Sequence, residues 1–371
     1  MDKTIGALHK VWADDDGARP VLRMMLTPPA TLYAMWMRTR AILYRRGLCR
    51  SNGLPCRVIS VGNLSVGGTG KTPMVLYLAR YLTDRGRKVA IISRGYRGRF
   101  ESGGGIVSDG QKILAGVADS GDEPQVLATL LDGVPVIVGG NRFRAGQRAV
   151  REFAPDVILL DDAFQHLKLQ RDLDLVLLDC SRPFGNGYTL PAGELREPPQ
   201  ALRRADAVVM TRCRAAAGSP AVKKRGREIA MHTRGPVFQT RHVPVVRRII
   251  PAAGGGRPEN SLAGRRVFAF SGVAKNEEFL YTLSALDCKV AGRLGFPDHH
   301  DYVAADLAGI CRRTEKLGAD LIVTTEKDFV KIEPAARWPV DLAVLGIDIS
   351  FGDDRKRFHA FVDERIDGKT D

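Results

Sequence analysis

In 371 residues there is no C-x-x-C pair, no long uncharged apolar run and little aromatic content, 7%. Cys49, Cys56, Cys180, Cys213, Cys288 and Cys311 are scattered, so neither a zinc site nor a disulfide framework is indicated, and a reducing compartment fits. No stretch reaches the roughly 18 apolar residues that a transmembrane helix needs. The start, with Met1-Asp2-Lys3, His9-Lys10 and Asp14-Asp15-Asp16, does not read as a secretory signal. No repeat of about 20 to 50 residues is evident, and the only low-complexity piece, Gly103 to Gly105, reads as a surface loop. Acidic residues are missing altogether between Gly17 and Thr83, where Arg19, Arg23, Arg38, Arg40, Arg45, Arg46, Arg50, Arg57, Lys71 and Arg80 concentrate positive charge.

What is present is ordinary for a globular chain, with 44% hydrophobic and 26% charged residues, and the length favours two domains. The formal net charge of +14 favours an anionic partner. Nucleic acid, an acidic membrane surface and a phosphorylated substrate all remain candidates at this point. After Pro28-Pro29, the stretch Thr31 to Arg46 carries Leu32, Tyr33, Met35, Trp36, Met37, Ile42, Leu43 and Tyr44 among four arginines. That composition suits either a helix lying at a membrane surface or one packed on the core. On the first reading, Arg40 would snorkel toward headgroups or water.

Short apolar runs at Arg57 to Gly62, Lys88 to Ser93, Val134 to Val138, Val157 to Leu160, Leu173 to Leu178 and Ala207 to Thr211 read as strands. Helical patterns separate several of them, at Pro73 to Leu82, Glu123 to Leu131, Arg142 to Phe153, Pro198 to Arg204 and Ala221 to Met231. This alternation predicts an α/β fold with a mostly parallel sheet covered by helices, whose ligands bind at the carboxyl ends of the strands. Val237 to Ile250 is extended and basic, and Pro251 to Asn260 is rich in Gly and Pro, which reads as a connector. A second, smaller α/β domain follows, with strands at Val267 to Phe270 and Leu321 to Thr324, helices at Asn276 to Ala285 and Ala304 to Leu317, and a closing strand at Ala343 to Ile349. The expected division is residues 1–50 for an N-terminal segment, 51–235 for the first domain, 236–262 for the connector, 263–350 for the second domain and 351–371 for a helix and tail that return to the first domain.

The strongest chemical signal is Ser65-Val66-Gly67-Gly68-Thr69-Gly70-Lys71-Thr72, placed between a predicted strand and a predicted helix. In such a P-loop, consecutive backbone N–H groups and the helix N-terminus wrap nucleotide phosphates, Lys71 neutralises their oxygens and the Thr72 hydroxyl serves Mg²⁺. Ser65 stands where the common pattern has its first glycine, which a backbone-led site tolerates when φ is negative there. The run Val157 to Asp162 ends an apolar strand in two carboxylates, Asp161 and Asp162, suited to holding Mg²⁺ opposite Thr72. These signals imply a nucleoside triphosphate and Mg²⁺ without saying what accepts the phosphoryl group. Asp122, in Gly121-Asp122-Glu123-Pro124, stands either as a helix cap or as a catalytic acid. His299-His300 lies between Pro297-Asp298 and Asp301-Tyr302 and reads as imidazoles oriented by carboxylates rather than as a metal site.

The run Val58 to Pro73 resembles the P-loop of the tetraacyldisaccharide 4'-kinase family of lipid A biosynthesis, and the agreement continues in order along the chain. It includes Ser93-Arg94-Gly95-Tyr96, Gly121 to Pro124, Asp161-Asp162-Ala163-Phe164-Gln165-His166, Leu190-Pro191-Ala192-Gly193, Leu195-Arg196-Glu197-Pro198, Ala269 to Gly272, Phe296 to His300 and Thr325-Glu326-Lys327-Asp328. Ser65 is itself family-like. Departures fall at Ala274-Lys275-Asn276 and at Ala163, where the family often has glycine or proline, and Gly254 to Pro258 is insertion-like. The resemblance implies ATP- and Mg²⁺-dependent transfer of the γ-phosphoryl group to the 4'-hydroxyl of tetraacyldisaccharide 1-phosphate, forming lipid IVA. It also implies the cytoplasmic face of the bacterial inner membrane as the workplace, with peripheral attachment through the helix carrying Leu32, Trp36 and Leu43. Carried over by residue, Ser65 to Thr72 hold phosphate, Lys71 among them, and Thr72, Asp161, Asp162 and Glu197 serve the metal. Asp122 is the expected base and His299 its partner, while Tyr96, Arg142, Gln165 and Arg196 fall in the phosphate and acceptor environment. The expected partners are the glycolipid and an anionic membrane surface, with no nucleic acid and no obligate protein. The competing reading is a GTPase or partner-regulating ATPase that uses water as acceptor. A basic nucleic-acid module has no helix-turn-helix, aromatic sheet motif or zinc spacing to support it.

Overall fold

The computed structural model describes residues 12, 20–214, 219–252, 261–273, 276–332 and 336–368. Two sequence features singled out above, Gly254 to Pro258 and Ala274-Lys275, lie outside them.

The first sheet has eight strands in the order β3-β4-β2-β5-β1-β6-β7-β8. These are β1 (Arg57–Asn63), β2 (Val89–Ser93), β3 (Gly105–Ser108), β4 (Val136–Val138), β5 (Val157–Asp161), β6 (Leu173–Asp179), β7 (Ala207–Thr211) and β8 (Val237–Gln239). All pairings are parallel except that of β3 with β4. The central strands read as continuous Val/Ile/Leu runs because both faces are covered, and all of β2, β5, β6 and β7 is buried. Order reverses at β1, whose neighbours are β5 and β6, so the crevice for ligands opens at its carboxyl end. The sequence-level expectation of a loop at Gly103 to Gly105 is corrected here. Gly105 begins the antiparallel edge strand, and a Cβ there would fall 2.2 Å from the Phe100 ring, so glycine is required by close packing.

Helix α1 (Pro20–Arg45) is longer than the sequence suggests, because it runs through Pro28 and Pro29. The carbonyls that these prolines deprive of N–H partners belong to Met24 and Met25, both exposed, so water can satisfy them. Further helices are α2 (Lys71–Thr83), α3 (Asp122–Leu130), α4 (Arg142–Phe153) and α5 (Pro220–Ala230). The stretch expected as a helix before β7 is a 3₁₀ turn over Pro199–Arg204.

Within the expected connector, Val237–Gln239 and Arg241–Ile250 are strand, and 253–260 lie outside the described residues. Only Thr240 separates β8, the edge of the first sheet, from β9 (Arg241–Ile250), the edge of the second. Thr240 is buried, and its N–H and hydroxyl both donate to the Met210 carbonyl. The second sheet has the order β11-β10-β12-β13-β9, with β10 (Arg266–Ser271), β11 (Lys289–Gly295), β12 (Leu321–Thr325) and β13 (Asp341–Ser350). Strand β11 escapes a hydrophobicity reading because Lys289, Gly292, Arg293 and Gly295 interrupt it. Strand β13 does not close the sheet, because β9 pairs antiparallel along its outer side. Helices α6 (Asn276–Ala285), α7 (Ala304–Lys316) and the short α8 (Glu326–Phe329) belong to this unit.

After β13 the chain returns through α9 (Arg355–Asp367) to the first sheet's core, where Phe358, Val362 and Ile366 pack with Phe238 and Leu78. Polar contacts tie the same helix to α2, including Tyr77 hydroxyl with His359 Nε2 at 2.6 Å and Tyr81 hydroxyl to Asp363 at 2.8 Å. The two sheets are therefore joined by the direct passage of the chain from β8 through Thr240 into β9 and by a returning helix.

Candidate active site

Strand β1 delivers Asn63 to the mouth of the crevice, and its Nδ2 donates to Gly67 O at 3.3 Å and to the Thr69 hydroxyl at 3.0 Å, shaping the loop from within. The left-handed residues of that loop are Gly67 (φ +108) and Gly70 (φ +89), not Ser65, so the serine sits where a side chain costs nothing. Ser65 pairs with Leu195, Val66 N–H donates to Glu194 O, and Arg196 N–H donates to Leu64 O, so the Leu190 to Glu197 segment braces the loop from outside. The Thr211 hydroxyl donates to Thr69 O at 2.9 Å, and a Cβ on Gly70 would lie 2.7 Å from Nε2 of His242 in the second sheet. Gly68 faces Arg212 on this side. Lys71 and Thr72 are buried at the first turn of α2, where the helix N-terminus favours anions.

Across from them β5 ends in Asp161 and Asp162. Asp161 is fully buried, its Oδ2 lies 3.4 Å from the Ser93 hydroxyl, and its Oδ1 has no partner. Burial and the nearby Glu123 and Asp162 charges push its carboxyl up to about 7, against the pull of Lys71. Asp162 has left-handed backbone and gives both oxygens to Arg196 at 2.9 Å, with Lys71 Nζ 3.8 Å away. Burial alone would raise it, but Lys71 and Arg196 hold it below its usual range. Glu197 is committed bidentately to Arg204 at 2.9 Å. Of the three carboxylates expected around a metal, Asp161 has an oxygen without a partner, while Asp162 and Glu197 are paired with arginines. An unpartnered buried carboxylate oxygen that feels the Lys71 charge, with the buried Thr72 hydroxyl next to that lysine in sequence, is a donor set that fits a hard cation such as Mg²⁺. Among the described residues no three His, Cys, Asp or Glu side chains converge on one point, so such an ion would draw further ligands from phosphate and water.

On the outer side of Asp162 lies a cleft of about 790 Å³ whose walls include Arg94, Arg99, Arg142, Arg196, Gln165 and His166. Arg142 opens α4 and is buried, donating to the Gly139 and Gly140 carbonyls, and burial pushes its guanidinium down to about 10 despite the Asp162 charge. Gln165 donates to Asn63 O and accepts at its own carbonyl from Arg40 of α1. Arg40 therefore points into the protein, not outward toward headgroups as its sequence position suggests. Helix α1 closes this end of the crevice, with Thr189 hydroxyl bound to Ala30 O and Arg38 bound to Gln200.

Asp122 enters from the opposite side. Gly121 (φ +82) caps α3 and lets the Ser93 to Tyr96 loop come close, because a Cβ on Gly121 would lie 2.6 Å from Tyr96 O. Asp122 is thus the first helical residue and makes no capping bond, leaving its carboxylate for other use. It meets His299, 177 residues away, with Nδ1 donating to Oδ2 at 3.0 Å. Asp298 lies 3.7 Å from the other ring nitrogen, and Tyr96 packs edge-on at 5.8 Å between ring centres. Burial would raise Asp122, but the His299 hydrogen bond and the Lys331 and Lys327 charges hold it below its ordinary range. His299 is raised in turn, chiefly by its bond to Asp122. The neighbouring imidazole is otherwise engaged, since His300 bonds Asp306 at 2.9 Å and stacks on Phe296.

Sequence reasoning passed over several charged residues at this junction. Glu123 receives a hydrogen bond from Lys327 Nζ at 2.7 Å, and the Lys327 charge brings Glu123 down to about 2. Lys331 lies 3.4 Å from Asp122 Oδ2 and 3.4 Å from Asp328 Oδ1. Glu326 is hydrogen-bonded by Arg247 of β9. The only advance signal was the Thr325 to Asp328 run among the ordered motifs.

Residues 22–367 match the family model described as tetraacyldisaccharide-1-P 4'-kinase. The tetraacyldisaccharide 4'-kinase of Syntrophus aciditrophicus is 39% identical over 369 residues, covering 97% of this chain and 98% of the relative. That of Geobacter metallireducens is 46% identical over 302 residues, covering 81% and 86%. Among solved structures, LpxK of Aquifex aeolicus in complex with ATP superposes with a TM-score of 0.72 at 32% identity, over 93% of this chain and 100% of that one.

Proposed function

The chain belongs to the tetraacyldisaccharide-1-P 4'-kinase family and is an ATP-dependent kinase acting on the 4'-hydroxyl of a lipid A precursor, and we propose that Asp122, held by His299, is the base of that transfer. The observation that carries the proposal is the 3.0 Å contact between an imidazole of the second unit and a carboxylate of the first sheet's helix, next in sequence to Glu123, which feels the Lys71 charge. Phosphoryl transfer through a loose transition state asks for positioning and charge neutralisation more than covalent help. Backbone N–H groups of Ser65 to Thr72 and the Lys71 ammonium would hold the β- and γ-phosphates. Mg²⁺, held by Asp161 and Thr72, would supply neutralising charge when bound. Arg142 and Arg196, walling the open cleft, suit an acceptor that already carries a phosphate. Asp122 would accept the hydroxyl proton late in the transition state, with His299 fixing the carboxylate's orientation and sharing its charge.

The acceptor's acyl chains are unlikely companions for water, which gives α1 its role. Val21, Met24, Met25, Leu32, Met35 and Trp36 form one exposed apolar face, while Tyr33, Met37 and Arg40 face the protein. No described helix is long and apolar enough to cross a membrane. The exposed face, with Arg45 and Arg46 beside it, fits a helix lying in the surface of an anionic membrane on the side that supplies ATP, the cytoplasmic face of the inner membrane. Leu43 is half-buried and belongs to the inner flank.

Product analysis with ATP, Mg²⁺ and the disaccharide 1-phosphate tests reaction and site together. Lys71→Ala and Asp122→Ala should each lower kcat by about 10² to 10⁴. Unchanged turnover in Asp122→Ala removes it from the base role, and nucleotide consumption indifferent to the glycolipid would favour water as acceptor.

A further inference from the structure

Lys331 is a buried ammonium that the reaction just described does not use. Its side chain is 2% exposed and its Nζ has no hydrogen-bond partner, yet it stands 3.4 Å from Asp122 Oδ2 and 3.4 Å from Asp328 Oδ1. The Tyr302 ring lies 5.5 Å from it. Burying a lone ammonium is costly, so it persists only where opposite charge surrounds it. Asp328 is itself fully buried and anchored, accepting from Gly272 N–H at 3.1 Å and from the Thr325 hydroxyl at 2.7 Å. A Cβ on Gly272 would lie 2.9 Å from Pro297 O and 3.3 Å from the His300 Cβ, so the same turn backs the loop that presents His299.

The structure assigns Lys331 as a positioning residue for the Asp122–His299 pair: its charge, fixed to the second unit through Asp328, holds the Asp122 carboxylate ionised and aimed where His299 can reach it. This rests on the reading of Asp122 as base. The groups that face Asp122 are few, and the Tyr302 phenol in the segment before α7 is one of them. Its own helix contributes Glu123, which is paired with Lys327, and the loop before α7 contributes His299 with Asp298 behind it. Helix α8 and the turn after it contribute Lys327 and Lys331. With Lys327 engaged by Glu123, Lys331 is the cation that neutralises Asp122 directly besides His299. At so short a range in a poorly solvated site, that attraction is large enough to shift a titration by about a unit. Removing it makes Asp122 easier to protonate, so the acid limb of activity moves to higher pH.

The test compares Lys331→Gln and Lys331→Arg with Asp122→Asn. Lys331→Gln should lower kcat about tenfold or more, leave KM for ATP within about twofold, and move the acid limb of the kcat profile upward by about half a unit or more. Lys331→Arg, which keeps the charge, should restore the limb. A Lys331→Gln enzyme with wild-type kcat and an unmoved limb overturns the assignment, as does an arginine variant that behaves like the glutamine one. As a second measurement, independent of how Lys331→Gln folds, ¹⁵N-lysine NMR follows the Lys331 ammonium, assigned by its loss in Lys331→Arg. Asp122→Asn should move that signal, and an unmoved signal refutes the coupling. If Asp122→Asn keeps full kcat, the base reading fails. If Asp122→Asn is inactive while Lys331→Gln is normal, only the role of Lys331 fails.

Discussion

The phosphate cradle and the Asp122–His299 pair lie in the same crevice but are built in opposite ways. The cradle is a contiguous loop between β1 and α2, shaped by Asn63 a few residues upstream and braced by its own sheet. The pair joins side chains 177 residues apart and depends on α3, the His299 loop and the Asp328–Lys331 turn arriving together. The loop's frame is local, and the second unit reaches it where His242 packs against Gly70. A split pair forms only when both units are seated, so the proposed roles of loop and pair, nucleotide capture and proton acceptance, should separate on substitution.

The largest effects should come from setting one half against the other. Gly70→Ala forces a side chain into left-handed backbone and against His242, and should weaken ATP binding by about tenfold or more in calorimetry. His299→Ala should leave that affinity within about twofold while lowering kcat by about 10². If both variants lose binding and turnover together, the separation is wrong. A smaller effect concerns the surface that brings the glycolipid in. Leu32→Glu with Trp36→Glu, at positions 67% and 62% exposed, should abolish flotation with anionic vesicles and lower turnover on vesicle-borne acceptor by about tenfold. ATP binding should be untouched, and undiminished flotation would dismiss α1 as the docking element.

The smallest effect is on stability. The pKa of His299 is raised in the folded protein, so its contribution is fully present below the unfolded value of about 6.5 and fades as pH rises through the raised value. That of Asp122 is lowered, so its contribution is present above the unfolded value and fades as pH falls through the lowered one. The melting difference between wild type and His299→Ala should therefore be greater at pH 6 than at pH 9, by about 2 °C. An equal difference at both would place the pair's stabilisation in packing rather than charge.

Legibility in the sequence followed the range of the interactions. The strand-loop-helix around Lys71 and the apolar strand ending in Asp161 were readable because each is a local pattern of periodicity and backbone freedom. Helix α1 was seen but truncated, since a proline pair reads as a stop unless exposure of the freed carbonyls is known. Strand β11 and the consecutive strands β8 and β9 are not legible as strands, because basic residues and glycines hide elements whose stability comes from their neighbours. The pairing of the expected metal carboxylates is hidden for a similar reason: acidity is visible in the letters, but Arg196 and Arg204 engage Asp162 and Glu197 only after folding.

By itself the sequence determined the kind of chemistry, a glycine-rich phosphate loop with an acidic strand end and a basic, apolar helix, because those features depend on residues a few positions apart. Residue chemistry alone left His299 and His300 alike, with only the family resemblance favouring the first; tertiary structure decided that His300 turns to Asp306, which carboxylate keeps a free oxygen, and that Lys331 stands between two acids. Those outcomes hang on which distant segments pack together, and distance along the chain carries no record of that.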